Sequence, residues 1–447
     1  MSSDATFDGG LLSPATVGHD DLVADRAVLD ALVSAEVALV RAYGDLGLAP
    51  DEAVSAAAGL SAERLDAAAL AEAAVAGGNP VIPLVGLLKH DLPEEARAWM
   101  HRGATSQDIL DTALMIVAAR ALIRVRSSLV ETTEALRRFA AAHRDDVVAA
   151  RTLTQHAVPT TMGMRAAVWT RAIDRALARL DALELPAQLA GAGGTLASFV
   201  EVTGTDAAAR GLVAAYAHHA GLAVPDAPWH VTRWPVTELG DALVQAIDAL
   251  GKLATDVATL GRTEIGELAE GAGGGSSAMP QKRNPVESVL IRSAAMRAPG
   301  LASALHLAAA LAADERPDGA WHAEWPTLRE LLRLALGAAA HAASLAAGLR
   351  FDAEAAARNL ASDDGLILAE RLSLVLEPLL GRSTVASVVA GVGGGIGLGD
   401  LLRRHLAEAG VDVDVDVDAL LDAAGYTGVA ASFVDDTVRD ASEEDAS

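Results

Sequence analysis

The chain has no cysteine, which excludes disulfides, thiolate metal sites and a cysteine nucleophile. Aromatic residues are also scarce, at 3% beside 51% hydrophobic residues. The apolar content is therefore mostly Ala, Leu and Val. That mixture favours closely packed helices, because alanine has the best helix propensity and lets backbones approach. Positive charge is in deficit: a net charge of −25 argues against nucleic acid and anionic membrane surfaces as partners. Lysine is the rarest basic residue, with Lys89, Lys252 and Lys282 set against 32 arginines among 35 basic positions. A lysine kept in so arginine-biased a chain suggests a need for a compact point charge. Long hydrophobic runs are missing too. The longest charge-free stretches, 298–313 and 334–349, contain Ser, Gly or His and fall short of a membrane span. The N-terminal MSSDATFDGGLL has no basic residues before an apolar core, so no signal peptide is expected. The expectation is a soluble, cytoplasmic protein with neither membrane nor nucleic acid as partner.

What is present concentrates in one stretch, Gly271 to Glu287, reading GAGGGSSAMPQKRNPVE. Gly271, Gly273, Gly274 and Gly275 give a backbone free to move and to adopt positive φ. Ser276, Ser277, Lys282, Arg283 and Asn284 bring hydroxyls, positive charge and an amide into one short loop. Asn284, Pro285 and Glu287 fall at the N-cap, first and third positions of a helix start, a capping-box pattern. Free N–H groups and partial positive charge at such an end lead us to expect an anion site there. Glycines alone would suit a solvated linker. Two serines, a Lys-Arg pair and a helix start in fixed order argue against that.

Elsewhere the chain reads as one helix after another. Apolar positions recur at helical spacing from Val28 to Tyr43, and Pro50, Pro80 and Pro83 punctuate a first helical region ending near residue 104. Thr105, Ser106 and Asp108 precede a periodic stretch from Ile109 to His143, and a plain N-cap is their simpler reading. In RTLTQHAVPTTMG (151–163), His156 stands before Pro159, Thr160 and Thr161, which read as the start of a helix running to about Glu184. A lone histidine is more often structural than catalytic. Between Leu239 and Leu260, Leu239, Leu243, Ala246, Leu250, Leu253 and Val257 alternate spacings of four and three, a heptad seam that calls for long, nearly parallel partners. Val286 to Ala298 and Ala310 to Leu349 supply further helices. In DERPDGAWHAEWPTL (314–328), two of the six tryptophans flank a histidine and a glutamate, which by itself suits a packing cluster at a helix end. GVGGGIGLG (391–399) lacks the GxGxxG order, DVDVDVD (412–418) reads as a connector, and DASEEDAS (440–447) as disordered. His322 and Glu324 are two apart, unlike a helical ligand pair, so no metal is expected, and no motif calls for a cofactor. The fold class is therefore all-α, in three helical domains: 1–104, a central bundle 105–348 carrying the loop 271–285, and 349–447.

The loop GSSAMPQKRNP resembles the GSSxMPxKxNP signature of the fumarase/aspartase superfamily, which fixes eight positions in eleven. Its KRNP ending looks like the branch of adenylosuccinate lyases and 3-carboxymuconate cycloisomerases, with Gln281 where that branch usually has histidine. HRGATSQD resembles the TSxD segment and RTLTQHAVPTTMG the RTxxxHAxPTTxG motif of the same branch. ERPDGAWHAEW is similar to the ERxxGxWHxEW stretch of the cycloisomerases, and the serine-rich ERDxSxSS of adenylosuccinate lyases is absent. The resemblance implies a long-helix central domain that assembles into a tetrameric core, with active sites shared between chains. It implies cofactor-free chemistry on a small polycarboxylate, through an aci-carboxylate carbanion formed beside a carboxylate. Ser276 matches the catalytic serine, Lys282 and Asn284 its charge-binding partners, and His156 the histidine that faces the substrate. Thr105, Ser106, Gln155, Ser277, Met279, Arg283 and Arg316 are the implied substrate contacts. The activity implied is closure of 3-carboxy-cis,cis-muconate to a lactone, in protocatechuate breakdown. An adenylosuccinate-type β-elimination and a non-catalytic scaffold of the same fold are the alternatives. A scaffold has no use for Ser276, Lys282, Asn284 and His156 together.

Overall fold

The computed structural model describes residues 9–444 except 272–273, 276–278, 280–281, 393–395 and 411–414. Helices dominate it, as the alanine- and leucine-rich composition dictates. The longest are Ser106–Ala142, Trp234–Leu260, Val286–Ala310 and Ala320–Ala347. Every residue of the heptad seam, from Leu239 through Val257 to Leu260, is buried. No described helix is long and apolar enough to cross a membrane. The described strands are short and form three antiparallel pairs. They are β1 (Val147–Thr152) with β2 (Gln155–Thr161), β3 (Leu268–Ala269) with β6 (Arg350–Phe351), and β4 (Gly274–Gly275) with β5 (Arg283–Asn284).

Two compact units emerge, each gathering three separate stretches of chain. The first comprises Met1–Ser128, Ala176–Asp248 and Ser293–Ala340. In it the helix Asp25–Asp45 packs on Asp206–Ala220, and Leu39, Tyr43, Phe199, Leu212 and Tyr216 fill the core between them. Each such side chain contributes about 1.5–3 kcal/mol on full burial. The Tyr43 hydroxyl donates to the Arg102 carbonyl at 2.8 Å, tying the segment before Thr105 to that core.

The second unit comprises Leu129–Arg175, Ala249–Arg292 and His341–Ser447. Its hairpin β1–β2 pairs Val147 with Thr161 at one end and Thr152 with Gln155 at the other, with a bulge that shifts the register between Ala149 and Arg151. The two-residue tip is Leu153-Thr154, both with positive φ (48° and 73°). That conformation matches the strand twist but ordinarily selects Asn or Gly.

Three features differ from the sequence expectations. His156 lies on β2, and the helix after it starts at Met162 and ends at Asp181. The β-branched Val147 and Val148 pair with Thr161 and Thr160, and Pro159 is tolerated because a two-stranded ribbon leaves one edge of each strand unpaired. Val286–Ala310 is one helix, whereas 310–349 is interrupted and resumes at Ala320. Asp314 and Gly319 take positive φ (53° and 54°) on either side of Pro317, so the break follows from ordinary turn chemistry. The helix Ala430–Glu444 also runs through positions expected to be disordered. Parts of GVGGGIGLG and DVDVDVD lie outside the described residues.

Candidate active site

In the first unit the helix Ser106–Ala142 starts directly after the buried Thr105. Half of a capping box forms, the Asp108 carboxylate accepting the Thr105 N–H at 3.0 Å. The Thr105 hydroxyl has another partner. It accepts Arg316 Nη2 at 2.6 Å, and the same nitrogen donates to the Ala192 carbonyl at 3.3 Å. Thr105, Ser106 and Arg316 thus meet at the positive end of a 37-residue helix. Hydroxyls, a helix start and a guanidinium in one place are the components of a carboxylate clamp.

The clamp stands on a buried polar network. Asp108, fully buried, accepts four donors: Thr105 N, Ala190 N, Gly191 N and His230 Nε2, all at 2.9–3.0 Å. One helical turn on, Asp111 receives Arg233 Nη1 at 2.7 Å, Arg233 Nη2 at 3.0 Å and Trp321 Nε1 at 2.9 Å. Glu324 completes the set, taking Arg233 Nη2 at 2.6 Å. Burial works against charge on Arg233, but Asp111 and Glu324 outweigh it and hold its pKa above the ordinary value. Burial pushes the Glu324 carboxyl up, and the bond from Arg233 only partly offsets that. The tryptophan-flanked motif is therefore a packing and ion-pair cluster, the plainer of the two readings open from sequence. Its effect on the clamp is indirect: it pins the helix that begins four residues after Arg316.

In the second unit, His156 Nδ1 lies 2.8 Å from Asp363 Oδ2. The ring borders a cleft of about 840 Å³ whose walls include Arg151, Arg165, Lys252, Arg262 and Asn359. Behind that wall the fully buried Glu267 receives Arg151 Nη2 at 2.6 Å, Asn359 Nδ2 at 2.8 Å and Arg165 Nη1 at 3.3 Å. Burial would raise the Glu267 carboxyl, yet Arg151, Asn359 and Arg165 together hold it below the usual range. Gln155 is exposed beside His156 and donates to Thr154 Oγ1 at 3.2 Å.

The loop is closed at its base. Gly274 pairs with Asn284 and Gly275 with Arg283, so the chain leaves and returns through one short ladder. Met279, Lys282 and Arg283 are exposed, and Lys282 N donates to the Met279 carbonyl at 3.0 Å. Ser276 and Ser277 lie outside the described residues, as does Gln281. Among the described residues no hydrogen bond joins His156 to Met279, Lys282 or Asn284. The helix after the loop corrects one expectation. It starts at Val286, and its Glu287 and Ser288 N–H groups donate to the Glu270 carboxylate at 3.1 and 2.8 Å. The Glu287 side chain bonds His341 Nδ1 at 2.6 Å and Ser344 Oγ at 3.0 Å rather than closing a capping box. The anion at this helix end is the protein's own Glu270. Asp363, Glu267 and Glu270 carry no sequence signal: Asp363 stands in a turn beside Asp364, and the two glutamates flank the short strand β3.

A family model for lyases matches residues 66–300. A nitrosuccinate lyase from Streptomyces davaonensis is 45% identical over 97% of this chain and 95% of its own. This chain belongs to that lyase family, within the fumarase/aspartase superfamily. This chain is also similar to a 3-carboxy-cis,cis-muconate cycloisomerase from Pseudomonas aeruginosa, 42% identical over 82% of this chain and 80% of the relative. The crystal structure of the 3-carboxy-cis,cis-muconate lactonizing enzyme from Pseudomonas putida superposes with a TM-score of 0.87 at 35% identity. That match covers 96% of this lyase and 98% of the other chain. Among the described residues, no group of three or more His, Asp or Glu side chains is arranged to hold a metal ion.

Proposed function

We propose that this lyase closes 3-carboxy-cis,cis-muconate to 4-carboxymuconolactone, with Ser276, Lys282, Asn284 and His156 as the reacting set. The observation that carries the polycarboxylate part is the Arg316–Thr105 contact of 2.6 Å at the start of the Ser106 helix. In a chain of net charge −25, a trianion needs its positive groups concentrated locally, and this helix end does so. The choice of muconate rests on ERPDGAWHAEW and on relatives of that activity at 36–42% identity. In the reaction one carboxylate oxygen adds to the conjugated double bond, and the Ser276 hydroxyl gives its proton to the carbanion formed beside another carboxylate. Lys282 and Asn284 stabilise that spreading charge. The attacking group is already an anion and needs little proton assistance, so His156 orients it. Ser106, Gln155, Ser277, Met279 and Arg283 complete the contacts, in a homotetramer whose sites are shared between chains.

A second reading is favoured by the 45% identity to a nitrosuccinate lyase over 97% of the chain. There the same serine would remove a proton beside a carboxylate while nitrite leaves the adjacent carbon, giving fumarate. The two separate in one experiment: purified protein is given 3-carboxy-cis,cis-muconate, nitrosuccinate or adenylosuccinate, and loss of diene absorbance, nitrite and fumarate are followed. Diene loss with no nitrite supports the lactonisation. Nitrite release without diene loss replaces it. A His156→Ala protein that binds the muconate normally but turns nothing over would move His156 from orienting to proton-transferring.

A further inference from the structure

We propose that Asp363 is the positioning residue of His156, fixing the tautomer and pointing Nε2 at the bound carboxylate; this rests on the reading above. Asp363 Oδ2 lies 2.8 Å from Nδ1, and among the described residues nothing is hydrogen-bonded to Nε2. The carboxylate only accepts, so Nδ1 must carry the hydrogen. A neutral ring then presents Nε2 as a bare acceptor, and a protonated ring presents it as an N–H donor. An anion can be held only by the second form.

Both partners are set from the backbone. His156 stands opposite Arg151 in the β1–β2 ladder, two residues beyond the left-handed Leu153-Thr154 tip. Asp363 sits in the turn after the helix Ala353–Ala361, followed by Asp364 and Gly365 in the left-handed region (φ 50° and 86°). The Asp363 carbonyl accepts Leu366 N at 2.8 Å, and Asp364 N donates to the Ala361 carbonyl at 3.2 Å. Neither side chain is sealed off, at 20% exposure for His156 and 35% for Asp363. The pair borders a second cavity of about 390 Å³, in addition to the cleft lined by His156 and Arg151. A purely structural ion pair has no need for an open, unpartnered Nε2.

The test compares Asp363→Asn and Asp363→Glu with the parent protein on 3-carboxy-cis,cis-muconate. An interaction made equally in ground and transition states changes KM and leaves kcat in place. We expect Asp363→Asn to raise KM at least about tenfold with kcat within about threefold. Asp363→Glu should recover most of that loss. Unchanged kinetics in Asp363→Asn, or Asp363→Glu no better than Asn at an equal melting temperature, overturns the proposal. Should the parent turn over no muconate, ¹⁵N spectra of histidine-labelled protein still decide the geometry. At a pH of about 9, where imidazole is neutral, the resonances lost in His156→Gln should be those of an Nδ1–H ring and should shift in Asp363→Asn. An Nε2–H ring, or spectra indifferent to Asp363→Asn, overturns the assignment independently of the substrate.

Discussion

Arg233→Met removes the cation held between Asp111 and Glu324, and the structure sets the size and pH dependence of the loss. Arg233, Asp111 and Glu324 have side chains only 1%, 0% and 2% exposed, so solvent does not replace the guanidinium. Breaking a buried pair by deleting one partner costs about 3–5 kcal/mol. The two orphaned acids then differ. Asp111 keeps Trp321 Nε1 at 2.9 Å and Gln107 Nε2 at 3.2 Å, whereas Glu324 keeps no side-chain donor among the described residues. Glu324 should therefore take up a proton. Doing so costs a carboxyl of ordinary pKa about 3.7 kcal/mol at pH 7 and about 1.6 kcal/mol at pH 5.5. The Glu324 pKa is already raised by burial, and losing Arg233 raises it further. A raised folded-state pKa favours the native state at low pH and loses that benefit as pH rises through it. The variant should then lose about 4–5 kcal/mol near pH 7 and roughly 2 kcal/mol less near pH 5.5. Urea unfolding followed by tryptophan fluorescence at the two pH values measures it. A loss below about 1 kcal/mol, or the same loss at both pH values, refutes the reasoning.

Arg316→Met should raise KM roughly 10- to 100-fold, the worth of a charge-assisted hydrogen bond, with little change in melting temperature; unchanged KM removes Arg316 from the clamp. Glu270→Ala frees the Glu287 and Ser288 N–H groups, and a lost cap should cost about 1 kcal/mol in urea unfolding. His101 Nδ1 lies 2.7 Å from the fully buried Glu36. Burial opposes the ring's charge, but Glu36 holds its pKa above the ordinary value. That stabilisation is complete below the unfolded pKa of about 6.5 and is lost as pH rises through the folded one. Melting temperatures between about pH 6 and pH 9 should therefore fall in the parent and flatten in Glu36→Gln; parallel curves would contradict the assignment.

Helices and their seams were legible because burial periodicity is local information. The 4-3 alternation from Leu239 to Leu260 needed no knowledge of partners, and each of its positions is buried. The hairpin holding His156 was not legible, since Pro159-Thr160-Thr161 suits a helix start as well as a strand end, and only pairing with Val147 and Val148 decides. The long-range acids were hidden for a similar reason. Asp363 lies 207 residues from His156 and Glu267 lies 116 from Arg151, distances over which spacing carries no signal. The capping pattern at Asn284 to Glu287 misled because the N–H groups there prefer the nearby Glu270 carboxylate to an internal cap. The tryptophan motif was legible as a family mark but not as a mechanism. Its Trp321 and Glu324 side chains bond to Asp111 and Arg233, one helical turn from Asp108.

The most direct test of the central claim compares the parent protein and Ser276→Ala on 3-carboxy-cis,cis-muconate by loss of diene absorbance. The account predicts steady loss with the parent and a rate at least about 100-fold lower with Ser276→Ala, at an unchanged melting temperature. Full activity in Ser276→Ala, or no diene loss from a parent that releases nitrite from nitrosuccinate, would contradict it.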